Sequence, residues 1–116
     1  MLEFQVESIS PDGLVVGRNG ERDIPVGTTF TAVRRCRVHK EAGGYRTEEL
    51  GETGPVALTL REVHWYRQTL DHVPRGHTAG LALVGQGLEL LAGLLRGLPA
   101  HDSLSLVAAE GEGSVD

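Results

Sequence analysis

The sequence predicts a single, mostly β domain of the barrel or sandwich class, with one short helix near residues 88–97. Short segments in which apolar and polar residues alternate recur along the chain, and turn residues separate them. Only one stretch has leucines at helical spacing. The chain has 116 residues, a size at which one hydrophobic core is sufficient. We expect residues 1–109 to form that domain.

The N-terminal segment predicts a β-hairpin. Leu2, Phe4 and Val6 alternate with polar residues, which indicates a strand over residues 2–9 with one solvated face. The sequence Ser10-Pro11-Asp12-Gly13 is typical of a tight turn, because proline presets φ at the second position and glycine accepts positive φ. A second strand is expected to begin at residue 14.

The middle of the chain predicts a strand followed by a long exposed excursion. The Asn19-Gly20 pair is a strong turn signal, and residues 28–33 are rich in β-branched side chains. Residues 37–54 contain a Gly-Gly pair, several glutamates and few apolar side chains. This composition indicates a segment outside the core, such as the end of a long hairpin.

Three further apolar segments predict core strands at residues 56–65, 78–84 and 103–107. In the first of these, the alternation shifts phase after Leu60. A β-bulge or a switch of faces is therefore expected near Arg61 and Glu62.

Two more C-terminal features complete the predicted organisation. Leucines at helical spacing, followed by a Gly-Leu-Pro stop, place the helix at residues 88–97. The preceding Gly85-Gln86-Gly87 resembles the start of a dinucleotide-binding loop, but the third glycine is missing and a simple turn is the better interpretation. Residues 110–116 have the composition of a disordered tail.

Composition and charge narrow the classes of partner. The formal net charge is −5, which disfavours non-specific binding of nucleic acid, although residues 34–40 form one basic island. No signal peptide and no stretch of roughly 18 apolar residues is present, so we expect a cytoplasmic protein with no membrane partner. Cys36 is the only cysteine, which excludes an intrachain disulfide.

No motif indicates catalysis or a cofactor. The only lysine, Lys40, lies outside any phosphate-binding loop, so nucleotide hydrolysis is not expected, and no Gly-x-Ser-x-Gly motif occurs. A loose cluster of histidines, with Glu62 and Asp71 nearby, matches no compact metal signature, although a histidine-based metal site stays an alternative. Its members are His64, His72 and His77. The prediction is a non-enzyme without cofactors.

The most specific signal is the run from Val63 to Gly85, VHWYRQTLDHVPRGHTAGLALVG. It closely resembles part of domain II of elongation factor Tu, without a gap. The segments at residues 13–16, 24–27 and 29–33 resemble the same family in the same order, so that about half of the chain is covered. The resemblance implies the closed Greek-key β-barrel of translation GTPases, as a stand-alone domain without the GTPase domain.

The resemblance also implies how individual residues pack in such a barrel. Gly76 and Gly80 would allow close backbone approaches, and Trp65 and Tyr66 would pack against the curved strand. The leucines at positions 81 and 83 would fill the centre of the barrel.

A binding site follows from the same resemblance. In elongation factor Tu this stretch helps to hold the aminoacylated 3′ end of transfer RNA through an arginine, a glutamate and an asparagine. By position these fall on Arg67, which is retained, on His64, which replaces the glutamate, and on Thr78, which replaces the asparagine. The implied function is a binding module for RNA, the ribosome or a translation-related protein. The alternative is a protein-protein adaptor or homodimer that uses the 37–54 excursion or the leucine helix.

Overall fold

The computed structural model describes residues 2–20 and 22–108, and this part of the chain forms eleven strands and one helix. The predicted tail at residues 110–116 lies outside the described residues. The strands are β1 (Leu2–Ile9), β2 (Val15–Asn19), β3 (Ile24–Pro25), β4 (Thr29–Phe30), β5 (Ala32–Glu41), β6 (Gly44–Thr53), β7 (Ala57–Trp65), β8 (Gln68–Leu70), β9 (His72–Val73), β10 (Thr78–Gln86) and β11 (Asp102–Ala108). The helix is α1 (Leu88–Arg96).

One antiparallel sheet dominates the structure and curls into a half-barrel. Its strands follow the order β4-β7-β10-β2-β1-β11-β5-β6, and β8 pairs with β7. The short strands β3 and β9 form a separate ribbon. The prediction of a mostly β domain with one short helix is confirmed.

The concave side of the curled sheet holds the core. Inward-facing side chains from β1, β2, β4, β7, β10 and β11 are completely or almost completely buried, as the alternation in each strand requires. The largest of them include Phe4, Phe30, Leu58, Leu60, Leu81 and Leu106. Leu83 is only partly buried at the margin of this core. The predicted alternation of residues 2–9 thus corresponds to one buried and one solvated face.

The predicted turn between β1 and β2 is confirmed. Gly13 has a φ of 89°, and its amide donates to the Ser10 carbonyl at 2.9 Å. The Ser10 hydroxyl donates to Asp12 Oδ1 at 2.7 Å, and this hydrogen bond is the main reason why the pKa of Asp12 lies below its ordinary value. Glycine and a short polar side chain therefore both contribute to closing the hairpin.

The predicted irregularity in β7 is a β-bulge at Arg61. Leu60 pairs with Leu83 of β10, whereas Glu62 pairs with Ala82, so Arg61 is the extra residue. The bulge makes Arg61 and Glu62 both exposed, although they are consecutive. Leu60 and Val63 consequently both face the core, at 0% exposure.

The excursion at residues 37–54 forms most of the outer part of the β5–β6 hairpin. All ten residues of β6 are exposed, and β6 is the last strand at its end of the sheet. A bulge near Gly51, which has a φ of 116°, interrupts the pairing of the two strands. The hairpin extends beyond the core because it has almost no apolar face to bury.

The helix begins and ends close to its predicted bounds. Its buried and half-buried leucines pack against the core cluster, and Leu90 is the one leucine of the helix that is exposed. The packed leucines are Leu88, Leu91, Leu94 and Leu95, together with Leu98 just beyond the helix. These leucines therefore contact the domain itself.

Glycines explain why β10 and the helix fit closely against the start of β7. A Cβ built on Gly85 would lie 1.8 Å from the Ala57 carbonyl oxygen, and one on Gly87 would lie 2.5 Å from Val56 Cγ1. A Cβ built on Gly80 would lie 3.3 Å from Leu14 Cδ1. The expectation for Gly76 was wrong, because nothing lies within 4 Å of its Cβ position. Gly76 instead accommodates a φ of 75° in a loop.

Candidate functional site

The three residues of the predicted binding site lie toward one end of the curled sheet. His64 is near the end of β7, Arg67 follows in the turn to β8, and Thr78 is the first residue of β10. Thr78 and Arg67 are exposed, whereas His64 is half-buried. The structure thus brings the three positions to one region of the surface.

Strand register places His64 and Thr78 on the same outer face. His64 is paired with Gly80, two residues from Thr78 in β10. Val63, Ala79 and Leu81 point into the core, so the residues between them point outward. Among the described residues, however, no hydrogen bond or ion pair joins the side chains of His64, Arg67 and Thr78 to one another.

Arg67 and Tyr66 form the two-residue turn between β7 and β8. Trp65 pairs with Gln68 across this turn, so Tyr66 and Arg67 are its only central residues. Both have positive φ, 54° for Tyr66 and 79° for Arg67. This is the conformation of a type I′ turn, which strongly prefers Asn-Gly, and a non-glycine residue in it costs about 1–2 kcal/mol. Arg67 therefore lies in a strained turn.

Aromatic rings surround this turn. The ring of Tyr66 packs edge-on against Trp65, with ring centroids 4.7 Å apart, and His77 packs edge-on against Trp65 at 5.6 Å. Tyr66 is nevertheless 79% exposed, so the expectation that it would pack against the curved strand was wrong. Trp65 is the half-buried ring, and it supports an exposed aromatic side chain at the tip.

His64 has acidic neighbours of its own. Its Nε2 lies 3.1 Å from Glu62 Oε1, and the β-bulge at Arg61 is what turns Glu62 outward next to it. The charge of His64 also contributes to the lowered pKa of Asp12 in the β1–β2 turn. His64 therefore lies between two carboxylates, those of Glu62 and Asp12.

The three histidines of the loose cluster each contact a different residue. His72 Nδ1 lies 2.8 Å from Asp71 Oδ1, a contact that lowers the pKa of Asp71, while His77 packs on Trp65 and His64 contacts Glu62. Within residues 2–20 and 22–108, no group of three or more His, Cys, Asp or Glu side chains is arranged to hold a metal ion.

Most arginines of the basic island are neutralised within the fold. Asp102, whose side chain is completely buried, binds Arg35 and Arg37 through contacts of 2.6–3.2 Å. Hydrogen bonds from Arg37 and then Arg35 lower the pKa of Asp102 from 3.8 to about 2, against the opposing effect of burial. Arg34 lies 3.2 Å from carboxylates of Glu3, Glu49 and Glu52. The arginines of the island are therefore held in structural ion pairs.

A polar groove lies on the outer face beside Thr78, and sequence reasoning did not find it. Its volume is about 640 Å³. It is lined by Glu3, Gln5, Arg18, Asn19, Gly20, Arg22, Gly76 and Ser105. The only sequence signal was the outward position of Gln5 in the β1 alternation, because the groove depends on which strands are neighbours.

Comparison of the chain with protein-family models, with curated proteins and with solved structures finds no match in any of the three. Within the described residues, no helix has both the length and the apolar character needed to cross a membrane.

Proposed function

We propose that this chain is a non-catalytic binding module on a closed β-barrel of the translation-factor domain II type. Its binding face is the exposed Tyr66-Arg67 turn with His64 and Thr78, and its ligand is the single-stranded end of an RNA. The observation that carries the proposal is the strained turn. Tyr66, which is 79% exposed, and Arg67 occupy positions where Asn-Gly would be more stable.

The strand pairing supports the barrel part of the proposal. Thr29 and Phe30 pair with β7, while Ala32 and Val33 pair with β11. The amide of Thr31 between them donates to the Val107 carbonyl at 2.9 Å. A continuous segment from β4 to β5 thus connects the two sides of the curled sheet. This connection supports the proposed closure of the sheet into a Greek-key barrel with the order β1-β2-β10-β7-β4/β5-β11.

The chemistry of the turn favours RNA as the ligand. Unpaired bases stack on exposed aromatic rings, and arginine binds phosphate through its planar guanidinium. Tyr66 provides the ring, and Trp65 behind it holds that ring in place. Among the described residues, no carboxylate forms an ion pair with Arg67, in contrast to the arginines of the basic island. The guanidinium is thus available to a ligand.

Replacing the turn by its preferred sequence tests this proposal without endangering the fold. The double variant Tyr66→Asn and Arg67→Gly removes both binding side chains while relieving the strain of the turn. We expect a stability gain of about 1–3 kcal/mol, because two residues leave an unfavourable conformation. We expect RNA binding to weaken by tenfold or more, since one stacked base alone is worth about 1–3 kcal/mol.

The β5–β6 hairpin contains a matched control. Tyr45-Arg46 is the same dipeptide, and Tyr45 is 75% exposed, so the double variant Tyr45→Ala and Arg46→Ala removes equivalent side chains elsewhere. Binding of fluorescent single-stranded RNA, aminoacyl-tRNA and ribosomes would be measured at low salt. Absence of binding to all three by the unmodified chain, or equal binding by the two double variants, would contradict the proposal.

A second candidate function is a homodimeric or adaptor domain that uses the β5–β6 hairpin. The observation in its favour is that β6 is an end strand with every residue exposed, including Tyr45 and Leu50. Light scattering of the chain over a range of concentrations, together with an analysis of co-purifying proteins, tests this function. A strict monomer without a co-purifying partner would rule it out.

A further inference from the structure

The outer face beside the proposed RNA-binding turn contains a row of polar residues that crosses four strands. Thr78 of β10 is paired with Arg18 of β2, Arg18 with Gln5 of β1, and Gln5 with Ser105 of β11. Neighbours in each pair lie on adjacent strands, so the row extends about 14 Å across the sheet. The groove of about 640 Å³ is lined by Arg18, Gln5 and Ser105 from this row.

Gln5, Arg18 and Thr78 of this row are exposed, whereas Ser105 at its far end is buried. Phe4 and Val6 flank Gln5 in the core, and Gly17 and Asn19 flank Arg18. A Cβ on Gly17 would lie 2.0 Å from the Gln5 carbonyl oxygen, so β1 and β2 are in close contact beneath the row. The side chains of Gln5 and Arg18 are therefore held outward by a tightly packed sheet.

At the end of the groove next to Thr78, Asn19 forms hydrogen bonds with several segments of the chain. Its buried side-chain amide donates to the carbonyls of Arg22 and of Val73, the latter at 2.8 Å. Its backbone amide donates to the His77 carbonyl at 3.0 Å, and the Gly76 amide donates to the Gly20 carbonyl at 3.0 Å. These hydrogen bonds join Asn19, Gly20 and Arg22 to the segment that precedes β10, next to Thr78.

Charge distinguishes Arg18 from Arg34, the other arginine of this row. Arg34 follows Ser105 in the same cross-strand row, but it contacts the carboxylates of Glu3, Glu49 and Glu52. Among the described residues, no carboxylate forms an ion pair with Arg18. The groove therefore has an uncompensated cation at the Thr78 end and a carboxylate, Glu3, among its other lining residues.

We propose that this groove binds a ribonucleotide segment that continues from the Tyr66-Arg67 turn, with a phosphate on Arg18 and hydroxyl or amino groups on Gln5 and Glu3. Glu3, although paired with Arg34, presents carboxylate oxygens that accept hydrogen bonds. A nucleotide matches this lining because it carries a phosphate together with hydrogen-bond donors on its ribose and base. This inference rests on the proposed function and extends the footprint of the RNA from the turn to β11.

Two RNA lengths separate this inference from the proposed function. A small β-barrel binds about 4 to 16 nucleotides of a single-stranded nucleic acid. One RNA of about 4 nucleotides and one of about 16 nucleotides are therefore used with the full chain. The short RNA covers only the turn, and the long RNA also crosses the groove. We expect Arg18→Ala to weaken binding of the long RNA about tenfold at low salt, because a charge-assisted contact is lost. Binding of the short RNA should not change.

The salt dependence of RNA affinity distinguishes a phosphate contact of Arg18 from a merely structural role of this residue. Loss of one phosphate contact lowers the slope of log affinity against log salt by about 0.7 for a single strand. Arg18→Lys keeps the charge and should retain the slope. Arg96→Ala is the matched control, since Arg96 lies on the helix that follows the far end of β10. Thermal unfolding of each variant verifies that the exposed substitutions leave the fold intact.

The outcomes can be told apart. If the unmodified chain binds neither RNA, the proposed function fails. If it binds both and Arg18→Ala behaves as Arg96→Ala does, the groove inference is overturned while the proposed function stands. A glutamate-rich peptide that binds the groove in place of the long RNA would assign the groove to a protein partner, and this result would also overturn the inference.

Discussion

Gly85→Ala tests the close contact between β10 and the start of β7, which determines where the helix is attached. Gly85 is paired with Leu58 and has a φ of 134°, in a region that residues with a side chain rarely adopt. A Cβ at this position would lie 1.8 Å from the carbonyl oxygen of Ala57 and 3.0 Å from its carbonyl carbon. Both are backbone atoms, so no side-chain rotation can relieve the clash.

The expected cost has two parts. Placing alanine at positive φ costs about 1–2 kcal/mol, and pushing the two strands apart by more than an ångström resembles overpacking of a core, which costs about 1–3 kcal/mol. We therefore expect the free energy of unfolding to fall by about 2–5 kcal/mol. Domains of this size are stable by only about 5–15 kcal/mol in total, so the change is large.

Gly93→Ala is the control, because it makes the same chemical change at an open site. Gly93 is exposed on the helix, and the nearest atom to its Cβ position is an Arg96 guanidinium nitrogen at 3.9 Å. We expect this variant to gain about 1 kcal/mol from helix propensity. Urea unfolding followed by circular dichroism measures both changes. A Gly85→Ala protein as stable as the unmodified chain would show that the two strands do not approach each other this closely.

Two further predictions concern buried polar groups. The pKa of Asp102 is lowered in the folded chain from 3.8 to about 2, so its ionised form stabilises the fold above pH 4 and this contribution disappears as the pH falls toward 2. Asp102→Asn should be less stable at neutral pH and should lose less stability over that acid range, as acid titration followed by circular dichroism will measure. Asn19→Ala leaves the carbonyls of Arg22 and Val73 without their donor, and a cost of about 2 kcal/mol is expected in urea unfolding. An unchanged unfolding midpoint would show that water replaces both hydrogen bonds.

The candidate site was predictable only where it depended on local chemistry. The run from Val63 to Gly85 indicated Arg67, His64 and Thr78 as a group, and the structure places them in one region. The groove was not predictable, because Ser105 and Gly76 lie far in sequence from Gln5 and Arg18 of the β1–β2 hairpin. The basic island was misleading for the same reason, since its main partner, Asp102, lies more than sixty residues away.

The sequence by itself determined the local elements of this protein. Alternation defined β1 and the strands of the core, turn residues defined the β1–β2 hairpin, and leucine spacing defined the helix. The phase shift after Leu60 indicated a bulge or a switch of faces near Arg61 and Glu62, and the strand pairing shows that it is a bulge at Arg61.

Only the tertiary structure decided which of these elements are neighbours and which charges are neutralised. Strand order brings β2 between β1 and β10, and this order creates the row from Thr78 to Ser105. The tertiary structure also shows that Tyr66 is exposed in a strained turn and does not pack in the core. The physical reason is that alternation reports whether a side chain faces inward or outward, whereas pairing between distant strands depends on the packing of the whole core.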